Sequence, residues 1–233
     1  MKGLQNFVCL DLETTGLDPR SDRIIEIGMV RVREGKVEAQ FSTLINPMQQ
    51  LEKRIEEITG ITQKDLENQP QLRDVLPQIL EFLGEDVLLG HRILFDYSFL
   101  KRAFTNEKIP FERKGIDTLK IARKVVSDCE SKSLPNLCKH YGIEYQPHRA
   151  LSDVLATLRL YERLSDLYYE EEIFAPKPLL YKVKKESPIT KAQMERLSFL
   201  LEKHSLICPV ELTSMTRNEA SRYTDRILST YGR

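Results

Sequence analysis

Cysteine is scarce in the 233-residue chain, and its four residues lie far apart in the sequence. They are Cys9, Cys129, Cys138 and Cys208. No pair has the C-x-x-C spacing of structural zinc sites, and four scattered thiols do not resemble the framework of a disulfide-rich domain. The pattern therefore argues against both kinds of site and favours four ordinary thiols.

Long apolar runs are also absent. The longest apolar stretches have the length of a strand, whereas a helix that crosses a membrane needs about 20 apolar residues. No positively charged segment precedes an apolar one near the N-terminus, so no secretory signal is visible. We therefore expect no membrane partner and a cytoplasmic location.

The chain has no net charge, because 35 basic residues balance 35 acidic ones. This balance gives no sign of a polyanionic partner by itself. The charges are nevertheless unevenly spread: residues 177–233 hold 11 basic and 6 acidic residues, a net +5, so residues 1–176 carry −5. The acidic part and the basic tail are therefore expected to have different roles.

Strand-like apolar runs open the chain. Three of them, at 7–10, 24–32 and 37–45, are joined by short polar turns and predict a β-meander. Further along, helical apolar spacing alternates with a short strand-like run at 87–89, and a long amphipathic helix is predicted for 150–168. A meander followed by such alternation is typical of an α/β domain in which helices cover one mixed sheet.

Helical periodicity fails after the long helix, in a segment with acidic residues, prolines and a lysine-rich patch. We interpret 173–188 as a linker between a larger domain, 1–172, and a small basic helical module, 189–233. In the module, the segments that begin at Thr190 and Thr216 have the spacing of capping boxes, which predicts two helices.

One apolar run ends in two acids. The segment FVCLDLETTG places Asp11 and Glu13 at the end of the first predicted strand, with one residue between them. Strand alternation puts both on one face, where like charges repel unless a positive charge lies between them. An acid-x-acid pair is expected by chance about five times in this chain, so the pair indicates chemistry only if partners exist elsewhere.

Candidate partners follow at two later points. Asp96 comes just after the short strand predicted at 87–89, so we expect it near the same edge of the sheet as Asp11. Asp153 lies near the start of the long helix on its core-facing side, where an acid is costly unless a hard divalent cation neutralises it. His148 lies five residues earlier, in a loop. Each residue taken alone is also compatible with a helix cap or a polar surface position.

Taken together, these segments resemble the three motifs of the DEDDh exonucleases, the DnaQ-like branch of the RNase H-like fold. The similar segments are Leu10–Leu17, Ile25–Gly28, Ile45–Pro47, Thr59–Thr62, Phe95–Asp96, Asp117–Leu119 and His148–Asp153. They are most similar to the exonuclease module of one class of bacterial replicative polymerase, DNA polymerase III. The resemblance implies an α/β fold with an RNase H-like mixed five-stranded sheet flanked by helices, followed by the C-terminal helical module.

The same resemblance implies a metal-dependent 3′–5′ exonuclease that releases nucleoside 5′-monophosphates from the 3′ ends of DNA, in proofreading or repair. By analogy with the family, Asp11, Glu13 and Asp153 hold one Mg²⁺ or Mn²⁺. Asp96 holds a second ion together with Asp11, which makes two ions per site. His148 is then the general base for the attacking water.

Four further residues are implied in substrate binding. Thr14 and Thr15 would offer backbone N–H and hydroxyl groups to the terminal nucleotide, and Leu17 and Phe95 would pack on its base or sugar. Their alternative roles are to stabilise the turn at Gly16 and to fill the core. The implied substrate is a single-stranded or frayed 3′ end, bound without base-specific readout.

One position departs from the family, whose second motif usually reads His-Asn where this chain has His91-Arg92. An asparagine side chain can accept a hydrogen bond through its carbonyl oxygen, whereas arginine can only donate. Arg92 either contacts a phosphate or points to solvent. Since it is not one of the catalytic acids of the family, the expected activity stands.

Other functions fit the same residues. An exoribonuclease of the same fold is the nearest alternative, because the metal chemistry does not distinguish the sugars, and a DNA polymerase is a candidate protein partner. A non-catalytic nucleic-acid-binding role is disfavoured, since it gives no reason to gather four uncompensated acids. The basic tail either holds nucleic acid electrostatically or presents solvated helix faces. Its candidate residues are Lys182, Lys184, Lys185, Arg196, Arg217, Arg222 and Arg226.

Overall fold

The computed structural model describes residues 2–183, 187–208 and 211–232. Lys184 and Lys185 of the basic tail lie outside these ranges. The strands are β1 (Phe7–Thr14), β2 (Ile24–Arg33), β3 (Lys36–Leu44), β4 (Leu88–Gly90), β5 (Lys114–Asp117) and β6 (Lys177–Pro178). The helices are α1 (Lys53–Thr59), α2 (Gln63–Leu66), α3 (Leu72–Leu83), α4 (Leu94–Asn106), α5 (Thr118–Val125), α6 (Leu134–Tyr141), α7 (Ala150–Tyr168), α8 (Glu171–Phe174), α9 (Lys191–Lys203) and α10 (Arg217–Tyr231). Over the described ranges, none of these helices is long and apolar enough to cross a bilayer.

The chain divides into two compact units, Met1–Lys182 and Val183–Arg233. The first unit contains one mixed sheet in the order β3-β2-β1-β4-β5-β6. β1, β2 and β3 pair antiparallel, as a meander requires, whereas β4 and β5 run parallel to β1. Helices flank this sheet, so the predicted mixed α/β architecture is confirmed.

The sheet has one strand more than the five expected from the sequence. β6 contains only Lys177 and Pro178, which pair antiparallel with Gly115 and Lys114 of β5. Two residues are too few to show strand alternation, and a proline normally marks the end of a strand. Proline is tolerated here because β6 lies at the edge of the sheet. The additional strand falls inside the segment 173–188, for which the sequence predicts a linker.

β1 is buried on both faces, which explains its uninterrupted apolar run. Phe7 and Cys9 pack in a core that also contains residues of α5, α6 and α7. Val8 and Leu10 pack in a second core, with residues of α3 and α4. Because alternate residues share a face, the two acids at the end of β1 continue the row of Phe7 and Cys9 toward α7.

α7 approaches β2 very closely at its first residue. A β-carbon added at Gly28 would lie 2.5 Å from the carbonyl carbon of Ala150, so a larger residue would displace the helix. Gly28 is the cross-strand partner of Asp11. The missing side chain therefore lets the start of α7 rest against the strand end that carries the acids.

The described residues of the second unit form α9, α10 and a short 3₁₀ helix, Leu212–Ser214. Thr190 Oγ1 accepts a hydrogen bond from the backbone N of Gln193 at 3.2 Å, and Thr216 Oγ1 accepts one from Glu219 at 3.3 Å. Both helices thus begin with the capping boxes that the sequence predicts. Apolar residues of both helices and of the segment between them form a separate core, which includes Leu197, Leu200, Leu201, Met215, Ala220 and Ile227.

Candidate active site

Three of the four predicted acids converge where β1 ends. Asp11 and Glu13 lie on the face of β1 that meets α7, and Asp153 lies in the first turn of that helix. One carboxylate oxygen from each of the three residues lies within 4.8 Å of the other two. Oxygen atoms at this spacing can surround one hard divalent cation. The three carboxylates therefore form a candidate metal site.

Asp96 reaches the same strand end from α4. Its side chain is 3% exposed, and its Oδ1 accepts a hydrogen bond from the backbone N of Leu12 at 3.1 Å. Leu12 lies between Asp11 and Glu13 in the strand, so this bond fixes Asp96 beside both. The charge of Asp96 adds to the effect of burial in raising the pKa of Asp11. Asp96 is thus next to the group of three, although it is not part of it.

The four carboxyl groups disfavour one another's charged forms. Burial, and next the charge of Asp153, raise the pKa of Glu13 from 4.5 to about 8. Burial is also the main cause that raises the pKa of Asp11, Asp96 and Asp153. Buried acids of this kind either take up protons or are neutralised by a cation. A divalent cation therefore fits this donor set, and its binding would displace the protons held there.

Asp153 is oriented by two donors from the loop that precedes α7. The hydroxyl of Tyr145 donates to Asp153 Oδ1, and the backbone N of His148 donates to Asp153 Oδ2 at 3.1 Å. Both carboxylate oxygens consequently have a fixed direction. Sequence reasoning missed Tyr145, because it belongs to none of the motifs and a loop tyrosine eight residues before an acid is no signal by itself.

His148 lies at the exposed rim of the site. Its backbone adopts a left-handed conformation, with φ +70°, and its side chain is exposed. Among the described residues, no hydrogen bond holds the imidazole ring, whereas the backbone N is held by Asp153. The structure thus places the predicted general base beside the acids through its backbone and leaves the ring accessible from solvent.

Most of the first unit matches a known protein family. A model of the exonuclease family matches residues 8–161. The chain belongs to the exonuclease family. The matched range contains all four acids and His148, and it confirms the family that the sequence motifs predict. This family is metal-dependent, in agreement with the acidic cluster.

Two relatives each cover more than two thirds of this exonuclease-family chain. The DNA polymerase III PolC-type protein of Thermotoga petrophila is 39% identical over 163 residues, which are 69% of this chain and 12% of that protein. The DNA polymerase III subunit epsilon of Aquifex aeolicus is 35% identical over 169 residues, 70% of this chain and 83% of that protein. The chain thus spans a small part of the PolC-type relatives and most of the epsilon subunit.

Solved structures of exonucleases have the same fold. Exonuclease X, in complex with 5′-overhanging duplex DNA, is 26% identical, with a TM-score of 0.59 over 72% of this chain and 97% of that one. Exonuclease I is 20% identical, with a TM-score of 0.65 over 73% of this chain and 42% of that one. At this low identity the similarity is evidence for a shared fold and not for a shared function. The predicted RNase H-like fold is confirmed by these similarities.

The four predicted substrate-binding residues differ in their surroundings. Thr14 Oγ1 donates to the carbonyl of Gly16 at 2.7 Å, and Thr15 Oγ1 accepts from the backbone N of Arg23 at 3.0 Å. Both hydroxyls therefore stabilise the turn after β1, which is the alternative role that the sequence allows for them. Leu17 is 78% exposed, far more than a core leucine. Phe95 is half-buried and packs on another ring of α4, so part of its surface stays accessible.

A buried carboxylate outside the predicted set also contacts the start of α7. Glu26 of β2 is 2% exposed, and its Oε2 accepts a hydrogen bond from the backbone N of Ala150 at 2.9 Å. Glu26 lies directly across from Glu13 in the register of β1 and β2. It belongs to one of the motif segments, yet sequence spacing could not show which distant residue it binds.

Proposed function

We propose that this chain is a metal-dependent 3′–5′ exonuclease that releases nucleoside 5′-monophosphates from the 3′ ends of DNA. The observation that carries the proposal is the convergence of Asp11, Glu13 and Asp153 within 4.8 Å, with Asp96 bound to the strand between the first two. The similarity to a DNA polymerase III epsilon subunit, and to an exonuclease whose structure contains DNA, supports DNA as the substrate.

The acids fit two divalent ions, Mg²⁺ or Mn²⁺. In this proposal Asp11, Glu13 and Asp153 hold one ion, and Asp96 holds the second together with Asp11. When bound, such ions activate a water molecule and stabilise the charge that develops on the scissile phosphate and the leaving 3′ oxygen. The role of the protein is to hold the four carboxylates in place before substrate arrives, which the backbone bond to Asp96 and the two donors to Asp153 support.

His148 is the proposed general base. Its ring is exposed at the rim of the acid cluster, and imidazole is the side chain that enzymes use most often as a general base. The hydrogen bond from its backbone to Asp153 ties the ring to the acids without blocking either ring nitrogen. His148 can therefore take the proton from the attacking water at Nδ1 or Nε2 and return it to solvent.

The 3′-terminal nucleotide has an accessible apolar contact on each side of the site in this proposal. Leu17 lies on the turn after β1 and Phe95 on the first turn of α4, and both keep surface exposed. Because the hydroxyls of Thr14 and Thr15 and the backbone N–H of Thr15 are used within the turn, we assign the substrate contact at this turn to Leu17. Contacts of this kind do not read the bases, so any single-stranded or frayed 3′ end would be accepted.

The remaining parts of the chain extend this proposal. We assign the exonuclease reaction to residues 1–172 and an electrostatic hold on nucleic acid to the module at 189–233. Of its basic residues, Arg196, Arg217 and Arg226 are exposed on α9 and α10. A DNA polymerase is the proposed protein partner, because the relatives are DNA polymerase III proteins.

The test is digestion of matched 5′-labelled DNA and RNA strands, single-stranded or paired with a mismatched 3′ end. We expect products shortened stepwise from the 3′ end with Mg²⁺ or Mn²⁺, release of nucleoside 5′-monophosphates, and no reaction in EDTA. Faster shortening of RNA than of DNA would support the exoribonuclease alternative. Digestion that persists in Asp11→Ala would exclude the proposed mechanism.

A further inference from the structure

Arg92 occupies a backbone position that does not favour arginine. It lies between the end of β4 and the start of α4, and its φ is +73°. In this left-handed region the β-carbon of an L-residue crowds the backbone, and asparagine and glycine are the residues that tolerate it best. Arginine is therefore held here at a conformational cost, and a function of its side chain would explain why this residue occupies the position.

The surrounding structure fixes this conformation whatever the side chain is. The backbone N of Arg92 donates to Asp117 Oδ1 at 3.0 Å, and the same oxygen caps α5 by accepting from Leu119 at 3.0 Å. The ring of His91 bridges Thr118 Oγ1 at 2.9 Å and the carbonyl of Lys132 at 3.0 Å. Because the loop is held from both sides, the choice of arginine is not explained by the backbone.

The guanidinium of Arg92 lies over an accessible aromatic ring. Its Cζ is 5.7 Å from the centroid of the Phe95 ring, and the Arg92 side chain is exposed. Within the described part of the chain, no carboxylate lies within ion-pair distance of it. The N–H groups of this cation are consequently available to a ligand. Phe95 is followed directly by the buried acid Asp96.

A cation at the end of α4 that carries Asp96 can bind the strand that the site has to accept. Each backbone phosphate of a nucleic acid is negatively charged, so an exposed cation attracts it. Arginine matches phosphate geometry with two parallel N–H groups, and its attraction is independent of the bases. We propose that Arg92 is a substrate-binding residue that holds a backbone phosphate of the strand next to its 3′ end; this inference rests on the proposed exonuclease function.

The chain offers a matched control for this inference. Lys108 is also an exposed cation in the left-handed region, with φ +61°, and it follows the opposite end of α4. The 13 residues of α4 place the two ends about 20 Å apart. Arg92→Asn and Lys108→Asn therefore each remove one charge and the same kind of backbone cost, but only the first removes the cation at the end of α4 that carries Asp96.

The experiment compares wild type, Arg92→Asn, Arg92→Lys and Lys108→Asn on a 5′-fluorescein-labelled oligothymidylate with Mg²⁺. For Arg92→Asn we expect KM to rise about tenfold, kcat to change little, and the slope of log(kcat/KM) against log salt to weaken by about 0.7. Its melting temperature should equal or exceed that of wild type. Arg92→Lys should keep most of the salt dependence, and Lys108→Asn should keep both KM and slope.

Binding of the same oligonucleotide, measured by fluorescence anisotropy with Ca²⁺ in place of Mg²⁺, gives a readout that does not need turnover. If the wild-type protein binds the strand with Ca²⁺ but does not shorten it with Mg²⁺, the proposed exonuclease function is contradicted. The assignment of Arg92 to phosphate binding is then still tested by the affinities of the variants. If Arg92→Asn and Lys108→Asn match in affinity, KM and salt slope, the assignment of Arg92 is overturned even though the enzyme is active.

Discussion

Glu26 and Arg149 form an ion pair, with 2.9 Å between Oε1 and Nη2, that joins β2 to the residue preceding α7. The carboxylate of Glu26 is 2% exposed while the side chain of Arg149 is 60% exposed, so the pair joins a buried acid to a solvent-exposed base. Arg149 directly follows His148, the proposed base. One buried carboxylate thus fixes the short segment from which both His148 and Asp153 reach the site.

Replacing Glu26 tests whether this pair positions the catalytic segment. Glu26→Gln keeps the shape of the side chain but loses the charge that Arg149 and the backbone N of Ala150 bind. We expect a loss of about 1–2 kcal/mol in the free energy of unfolding, measured in urea, because a charged acceptor becomes a neutral one. The kcat should fall while the binding of oligothymidylate changes little.

The control for this substitution is Glu38→Gln. Glu38 of β3 lies 3.5 Å from Arg31 of β2, and because the Glu38 side chain is 51% exposed, such a pair contributes about 0–1 kcal/mol. We expect nearly unchanged stability and activity for this variant. Equal effects of Glu26→Gln and Glu38→Gln on kcat would contradict a positioning role for Glu26.

The sequence predicts best those features that depend on near neighbours. The acids of β1 and the capping boxes at Thr190 and Thr216 follow from spacing within a few residues, and all appear where expected. The bond from Tyr145 to Asp153 and the pair of Glu26 with Arg149 depend on how a loop and a helix rest on the sheet. No periodicity records such contacts, so only the folded structure reveals them.

Asp11 offers a second test, in which activity and stability change in opposite directions. Asp11→Asn removes one of several mutually repelling charges and keeps the side-chain shape. We expect the rate of 3′-end shortening to fall by about 10³-fold. In EDTA the melting temperature should rise by about 2–4 °C, since burial and neighbouring acids disfavour the charged form of Asp11.

A matched control for Asp11→Asn is Glu57→Gln, which changes an exposed acid on α1. Such surface changes usually alter stability by less than about 0.5 kcal/mol. We expect wild-type activity for this variant. An Asp11→Asn protein that melts well below wild type in EDTA would show that the acid stabilises the fold, contrary to the electrostatic argument.

Tyr145 offers a third test, because its hydroxyl donates to the Oδ1 atom of Asp153. Tyr145→Phe removes this donor alone, and we expect kcat to fall about fivefold, equivalent to about 1 kcal/mol. The Mg²⁺ concentration for half-maximal rate should rise, since Asp153 is less well oriented. The control is Tyr169→Phe, at the end of α7. A Mg²⁺ dependence identical in both variants would exclude the proposed role of the hydroxyl.

The pH dependence of stability follows from the raised pKa values of the acid cluster. Folding raises the pKa of Glu13 from 4.5 to about 8, so between these values the folded state holds a proton that the unfolded state has released. This contribution to stability is complete below the unfolded value and is lost as the pH rises through about 8. The raised pKa values of Asp11 and Asp153 act in the same direction.

The melting temperature in EDTA should therefore fall between about pH 6 and pH 9. The melting temperature of Glu13→Gln should fall less over this range, because glutamine has no carboxyl proton to release. Mg²⁺ should increase the melting temperature more at high pH than at low pH, since the cation competes with protons for the same carboxylates. The measurement is a series of thermal melts across this range with EDTA or Mg²⁺, and Glu38→Gln should follow wild type. A gain from Mg²⁺ that does not depend on pH would mean that the cation binds away from the buried acids.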